Sequence, residues 1–177
     1  MAKQCGFIID SERCVDCRAC VTACQTGNKI EIGISWRHVT STWQGNYPQV
    51  AFTSQSMACN HCVQPACIGV CPVKAISKRS EDGIVVVNTT KCIGCRACGD
   101  ACPYHAPQYG KDGHMQKCNL CLDRVSTGKQ PACVSTCPAG ALTFGTMDDL
   151  PRLAGKKTVR QLEGKTGPSI FVPVSGS

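Results

Sequence analysis

A chain of 177 residues with 17 Cys, 17 Gly, 10 Pro and only 5% aromatic residues can fill one domain or two small ones, but it lacks the apolar bulk for a large core, so disulfides or metals must make up the shortfall. No apolar run is long enough to span a bilayer, and neither a secretory signal nor a twin-arginine leader is expected at the N-terminus. The formal charge of +7 points to nucleic acid or a membrane surface only while the cysteines count as neutral.

In chain order, the apolar run ending in FIID (residues 7–10) predicts a strand, with Cys5 before it as a small buried residue. The first cysteine group, Cys14, Cys17, Cys20 and Cys24, follows at once. Alternation at Ile32, Ile34 and Trp36 then predicts a strand, and Gln44-Gly45-Asn46 a turn. Residues 30–52 are therefore expected to form a hairpin covering the first group, or to offer a docking surface through both Trp. The second group is Cys59, Cys62, Cys67 and Cys71. After it, Asp82-Gly83 marks a turn and Ile84 to Val87 a short β-branched strand. Cys92, Cys95, Cys98 and Cys102 form the third group, and Cys118, Cys121, Cys133 and Cys137 the fourth. In the tail, Pro151 is expected to start a short helix capped by Asp148 or Asp149, ahead of a basic loop and a final strand.

The groups are two motifs used twice. CVDCRACVTACQ (14–25) and CIGCRACGDACP (92–103) agree at seven of twelve positions, and QPACIGVCPVKAI (64–76) and QPACVSTCPAGAL (130–142) at seven of thirteen. Disulfides fit poorly, because the cysteines are crowded in sequence and odd in number. Zinc accounts for two C-x2-C pairs but not for the extra cysteine that follows at C-x2-C-x2-C. Iron–sulfur chemistry accounts for it: a cubane is wide enough for a tight loop to hold three of its corners, while the fourth Cys of the run, followed by Pro, ligates a neighbouring cluster. Sixteen such cysteines at four per cluster imply four [4Fe–4S] clusters, with Cys5 left over. Four oxidised clusters add about −8, which turns +7 into about −1 and removes the case for nucleic acid. Arg18, Lys91, Arg96 and Lys117, all beside cysteines, then read as compensation for cluster charge.

The linker from Cys71 to Cys92 is ferredoxin-like, so groups two and three read as one two-cluster module, with groups one and four pairing across it. Exchange of the last cysteine gives Cys14, Cys17, Cys20 with Cys137; Cys118, Cys121, Cys133 with Cys24; Cys59, Cys62, Cys67 with Cys102; and Cys92, Cys95, Cys98 with Cys71. Sequential pairing, group one with two and three with four, is the competing arrangement. The expected fold is α+β: two ferredoxin-like two-cluster modules, one inserted in the other, rich in loops with short helices and β-hairpins. The expected boundaries are 1–50 with 111–145 for the split module, 51–110 for the inserted one and 146–177 for the tail. His61 and His105 sit beside cysteines but are not expected to ligate iron, because the cysteine count is already complete; hydrogen bonding to a cluster is a role open to them. No C-x2-C-H occurs for covalent haem, and no C-x3-C-x2-C for radical chemistry.

The stretches GFIIDSERCVDCRAC (6–20), CNHCVQPAC (59–67), CIGCRACGDACPYHAPQY (92–109) and GHMQKCNLCLDRVSTGKQPACVSTCPAGALTFG (113–145) resemble the iron–sulfur electron-transfer subunit of the dimethyl sulfoxide reductase family of molybdopterin oxidoreductases. The resemblance implies a non-catalytic relay with four clusters in line, docked on a large catalytic subunit that carries molybdenum or tungsten on a pterin. It also implies a route to a quinone-binding membrane anchor subunit or a soluble redox partner. The Cys14 cluster would face the catalytic subunit and the Cys92 cluster the far end, and Cys95, where some relatives have Trp, keeps that site a cubane. The chain would be membrane-associated through its partners, on the cytoplasmic face or exported with a signal-bearing partner. A formate dehydrogenase or hydrogenase complex and a free polyferredoxin shuttle are the alternative settings. There is no C-terminal apolar helix such as some formate dehydrogenase and hydrogenase relatives carry.

Overall fold

The computed structural model describes residues 3–174. Its elements are short and held together by loops, as expected for ferredoxin-like domains that bind [4Fe–4S] clusters. In chain order they are β1 (Cys5–Ile9), α1 (Ala19–Gly27), β2 (His38–Asn46), β3 (Gln49–Met57), α2 (Ala66–Gly69), β4 (Ile76–Lys78), β5 (Val85–Val87) and α3 (Ala97–Asp100). Then come β6 (Gln108–Tyr109), β7 (Met115–Gln116), α4 (Leu122–Val125), α5 (Ala132–Ser135), β8 (Leu142–Thr146), α6 (Leu150–Leu153), β9 (Val159–Gln161) and β10 (Ile170–Pro173).

The organising strand is β1. All five of its residues are buried, which is why it reads as a continuous apolar run. It pairs antiparallel with β8, from Cys5↔Thr146 to Ile9↔Leu142, and parallel with β10 through Phe7↔Ile170 and Ile8↔Phe171. The sheet order is β8-β1-β10-β9, and the other strands form three two-stranded hairpins. Phe7, Ile9, Ile84, Leu120, Leu142 and Ile170 make the main core, and Cys20 and Cys133 are part of it. Phe7 and Phe144 pack as a tilted pair with ring centroids 5.8 Å apart.

Three details depart from the sequence reading or extend it. Residues 31–36 are a turn at Ile32-Gly33 and irregular chain, not a strand: Gly33 has φ 95°, and the Glu31 carboxylate accepts from the Lys111 amide and from Gln116 Nε2. Ile32 is 90% exposed, so the apolar alternation there does not mark a buried face. The hairpin instead spans β2 and β3 and turns at Tyr47-Pro48, while Gln44, Gly45 and Asn46 are paired within it. It does lie over the first cysteine group, where Ser41 Oγ donates to Asp16 Oδ2 at 2.7 Å. Finally, Asp149 is the N-cap of α6, but its carboxylate accepts from Thr146 Oγ1 and pairs with Arg152 rather than capping a helix amide.

The segment after β8 reaches back into the body of the protein. Val63 N and Gln64 N donate to the carbonyls of Gly167 and Thr166, and Ser169 Oγ donates to His61 O at 2.9 Å. Composition alone showed a tail; these backbone bonds brace the second cysteine group.

The approach of β10 to β1 needs a residue without a side chain at position 6, because a Cβ there would lie 2.2 Å from the Ser169 carbonyl oxygen. Gly6→Ala is therefore expected to cost about 1–3 kcal/mol through overpacking. Thermal unfolding monitored by circular dichroism checks this, and an unchanged midpoint would show that β10 yields freely.

Candidate metal centres

The local geometry of the cysteine loops repeats. In the first C-x2-C of each group the residue before the second cysteine has a positive φ: Asp16 (52°), His61 (42°), Gly94 (68°) and Leu120 (58°). A left-handed residue curls the loop so that successive amides face inward, the arrangement that stabilises negative charge. The Leu120 amide duly lies 3.4 Å from Cys118 Sγ. A second left-handed position comes three residues after the last cysteine of groups two, three and four, at Lys74, His105 and Gly140. At two of these the next amide donates to sulfur: Ala75 to Cys71 Sγ and Ala141 to Cys137 Sγ, each at 3.2 Å. The Met115 amide donates to Cys92 Sγ at 3.4 Å.

Each group also contains C-x3-C, which puts two cysteines one helical turn apart on the same face. Cys20 and Cys24 lie on α1, Cys67 and Cys71 on and just past α2, Cys98 and Cys102 on and just past α3, and Cys133 and Cys137 on and just past α5. The partners of each pair enter different cages. One cage is lined by Cys14, Cys17, Cys20 and Cys137, with Val39 and Ser56 of the hairpin beside them. A second is lined by Cys59, Cys62, Cys67 and Cys102, with Pro103, Tyr104 and Thr166. A third is lined by Cys71, Cys92, Cys95 and Cys98, with Ile76, Val87 and Met115 as apolar walls. The remaining four gather deep in the protein: Cys118, Cys133 and Cys121 all act on Cys24, and Asn28 Nδ2 lies 3.8 Å from both Cys24 Sγ and Cys121 Sγ. For brevity these are the Cys14, Cys59, Cys71 and Cys24 cages.

The four cages form a series. Cys133 and Cys20 interact electrostatically across the Cys24 and Cys14 cages, and Cys118 and Cys59 across the Cys24 and Cys59 cages. α2 then carries Cys67 into the Cys59 cage, and Cys71, two residues past its end, enters the Cys71 cage. Cys17 at one end and Cys95 at the other are the exposed cysteines of the set, each two residues after an exposed aliphatic side chain, Val15 or Ile93. Cys5 lies outside every cage, buried in the β1 core, where burial raises its thiol pKa.

The chemistry of the cages fits a polynuclear cluster rather than a single ion. Among the described residues, no three His, Cys, Asp or Glu side chains come close enough to hold one ion, whereas tetrahedral zinc needs sulfurs about 2.3 Å from one point. Burial, reinforced by neighbouring cysteines, pushes the thiols of Cys67 and Cys118 up to about 12 and that of Cys24 higher still. Four crowded thiols in such a site ionise at neutral pH only with a multivalent metal beside them.

Two buried cations sit where the cages meet, and sequence reasoning singled out only one of them. Lys117, 4% exposed, donates to Val85 O and, at 3.0 Å, to Cys118 O. Arg37, 1% exposed, lies with its guanidinium carbon 5.1 Å from the centroid of the Phe7 ring and donates through one nitrogen to Ser56 O and Ser56 Oγ, each at 3.1 Å. Burial alone would lower the Arg37 pKa, but the sulfurs of Cys133, Cys118, Cys20 and Cys24 outweigh it and hold it above the ordinary value. Its only signal in the sequence is a cation in the half-apolar run ISWRHV (34–39). Neither histidine of the sequence reading lines a cage. His61 is buried and accepts from Val85 N at 3.0 Å through Nδ1, while burial, Lys117, Arg37 and Lys78 hold its pKa well below 6.5, so it stays neutral.

Comparison with known proteins bears on these cages. Residues 50–147 match the 4Fe-4S dicluster domain family, and residues 7–28 match a 4Fe-4S binding domain. The chain is 47% identical over 164 residues to the B subunit of the anaerobic dimethyl sulfoxide reductase of Escherichia coli, covering 88% of this chain and 80% of that one. It is 40% identical over 183 residues to the B subunit of the polysulfide reductase of Wolinella succinogenes, covering 97% and 95%. It is 38% identical over 174 residues to the thiosulfate reductase electron transfer subunit of Salmonella typhi, covering 94% and 90%. The fold and cages define a protein of the ferredoxin-like class that binds [4Fe–4S] clusters. Within that class, the chain belongs to the family of iron–sulfur electron-transfer subunits of the dimethyl sulfoxide reductase type of molybdopterin oxidoreductase.

Because so much of the interior is sulfur, iron should be part of the fold. Removing it with a chelator under oxidising conditions is expected to lower the thermal midpoint. It should also abolish hydrogen-exchange protection of the Ala75, Leu120 and Ala141 amides before that of β1. Retained protection at those three amides would mean that the loops hold their shape without metal.

Proposed function

We propose that the sixteen cage cysteines hold four [4Fe–4S] clusters and that the chain passes electrons along them without acting on a substrate itself. The ligand sets are Cys14, Cys17, Cys20 and Cys137; Cys24, Cys118, Cys121 and Cys133; Cys59, Cys62, Cys67 and Cys102; and Cys71, Cys92, Cys95 and Cys98. The observation that carries this reading is the gathering of four cysteines around each of three separate voids, with a fourth sulfur set between two of them. Bound clusters would supply one-electron redox chemistry within a range of roughly −700 to +450 mV. The protein's own part is to fix their spacing, direct amides at their sulfurs and bury compensating cations.

In this reading the chain is two ferredoxin-like modules, with residues 51–110 inserted between 1–50 and 111–145. The antiparallel pairing of β1 with β8 and the packing of α1 on α5 support the split module, and the contact of α2 with α3 supports the inserted one. Electrons enter and leave at the two ends with exposed cysteines, Cys17 and Cys95. The partner at the Cys17 end is a large catalytic subunit with molybdenum or tungsten on a pterin; at the Cys95 end it is a quinone-binding membrane anchor or a soluble carrier. Among the described residues no helix is long and apolar enough to cross a membrane, so membrane attachment comes through that partner.

Two experiments test this. Cys24→Ser should perturb the cluster held by Cys118, Cys121 and Cys133 while leaving the Cys14 cluster spectrally intact; the reverse pattern in electron paramagnetic resonance would replace the exchanged pairing with a local one. Anaerobic purification of the tagged chain from its native host should bring down a large subunit with stoichiometric Mo or W. A chain that elutes alone and reduces unrelated acceptors would make it a free shuttle instead.

A further inference from the structure

Arg37 poses an electrostatic problem that the chain's own acidic residues do not solve. It is the largest fully buried side chain, and among the described residues no Asp or Glu pairs with it. Leaving a guanidinium uncompensated in the interior costs several kcal/mol. Its Nε and one terminal nitrogen are also buried without a hydrogen-bond partner, while the other is fully used by Ser56. A buried donor without an acceptor costs about 1–3 kcal/mol. The charges that act on it are sulfurs from two cages: Cys133, Cys118 and Cys24 of the Cys24 cage, and Cys20 of the Cys14 cage. Ser56 completes the link, since its Oγ lies 3.2 Å from Cys20 Sγ and also accepts from Arg37. The guanidinium carbon lies over the Phe7 ring, 5.1 Å from its centroid, so the central strand itself flanks the cation.

We propose that Arg37 is the shared counter-ion of the clusters in the Cys14 and Cys24 cages, a positioning residue that raises the reduction potential of both. The inference rests on the four-cluster reading above. Adding an electron makes each cluster more negative, and a fixed buried cation favours that reduced state over the oxidised one. Arginine suits the role because it does not deprotonate and spreads its donors in a plane between two acceptor sites. Through Ser56 and Phe7 it also ties the spacing of the two cages to β1.

The test uses the full chain, in its native complex or alone, purified anaerobically with its clusters, and an EPR-monitored potentiometric titration. Iron and sulfide are measured first: wild-type protein without iron would overturn the cluster reading itself, separately from the role of Arg37. Arg37→Gln, with wild-type iron content, is expected to shift two clusters at least tenfold toward the oxidised form, about 59 mV for one electron. The two other clusters should stay in place. Arg37→Lys, which keeps the charge, should stay within a few-fold of wild type. Full iron with unmoved potentials in Arg37→Gln would overturn the proposal, as would an equal shift of all four clusters. If Arg37→Gln fails to retain iron, Arg37→Lys decides: full iron with near-native potentials upholds the counter-ion role, and loss of iron there too reduces Arg37 to packing.

Discussion

One helical turn between two cysteines sets the rest of the structure. At C-x3-C the two sulfurs leave the same face of a helix, about 5–6 Å apart at Cβ. They are close enough to belong to neighbouring sites, and both cannot curl back into the loop that precedes them. The first therefore closes its own cage and the second closes the next one. The four pairs, Cys20/Cys24, Cys67/Cys71, Cys98/Cys102 and Cys133/Cys137, knit the cages into two couples, Cys14 with Cys24 and Cys59 with Cys71, each bridged twice. The distance within each couple is thus fixed by backbone geometry, which is much stiffer than side-chain packing. α1 runs nine residues, while the helices at the other three pairs are four residues long, and none of the four has a side-chain cap at its N-terminus. Such helices are marginal alone. The loops around metal and the sheet centred on β1 hold them in place.

Charge is the second constraint. The chain carries +7 before its thiolates are counted, and its placement matters more than its total. Arg37 and Lys117 are buried where cages meet, while Arg18 and Arg96 stand on the rims of the two end cages as left-handed N-cap residues. Buried cations and anionic clusters offset one another's desolvation, and a protein without iron would keep only the unfavourable half of that arrangement.

The grouping of the cysteines that line the cages was legible in the sequence, because cysteine spacing reflects local backbone geometry and the same two motifs are each used twice. The strand Ile84 to Val87 and the Asp82-Gly83 turn were legible for the same local reason: β5 covers Val85–Val87, and Gly83 has φ 69°. Long-range features were not. The strand expected at Ile32 to Trp36 lost to a tertiary contact, the pull of Lys111 and Gln116 on Glu31. β10 enters beside β1 as a parallel neighbour, and nothing local in SIFVP specifies that partner. Arg37 shows the limit most clearly. Its role depends on sulfurs from Cys20 and Cys24 on one side of the sequence and Cys118 and Cys133 on the other, which only the folded chain brings together.

Sulfur in this protein organises iron rather than pairing with itself or binding zinc. The most direct measurement is metal and acid-labile sulfide analysis of anaerobically purified protein, with Mössbauer spectroscopy to identify the iron. The expected result is about sixteen iron and sixteen sulfide per chain, all in cubane clusters. Stoichiometric zinc, or cysteines found in disulfides, would contradict it.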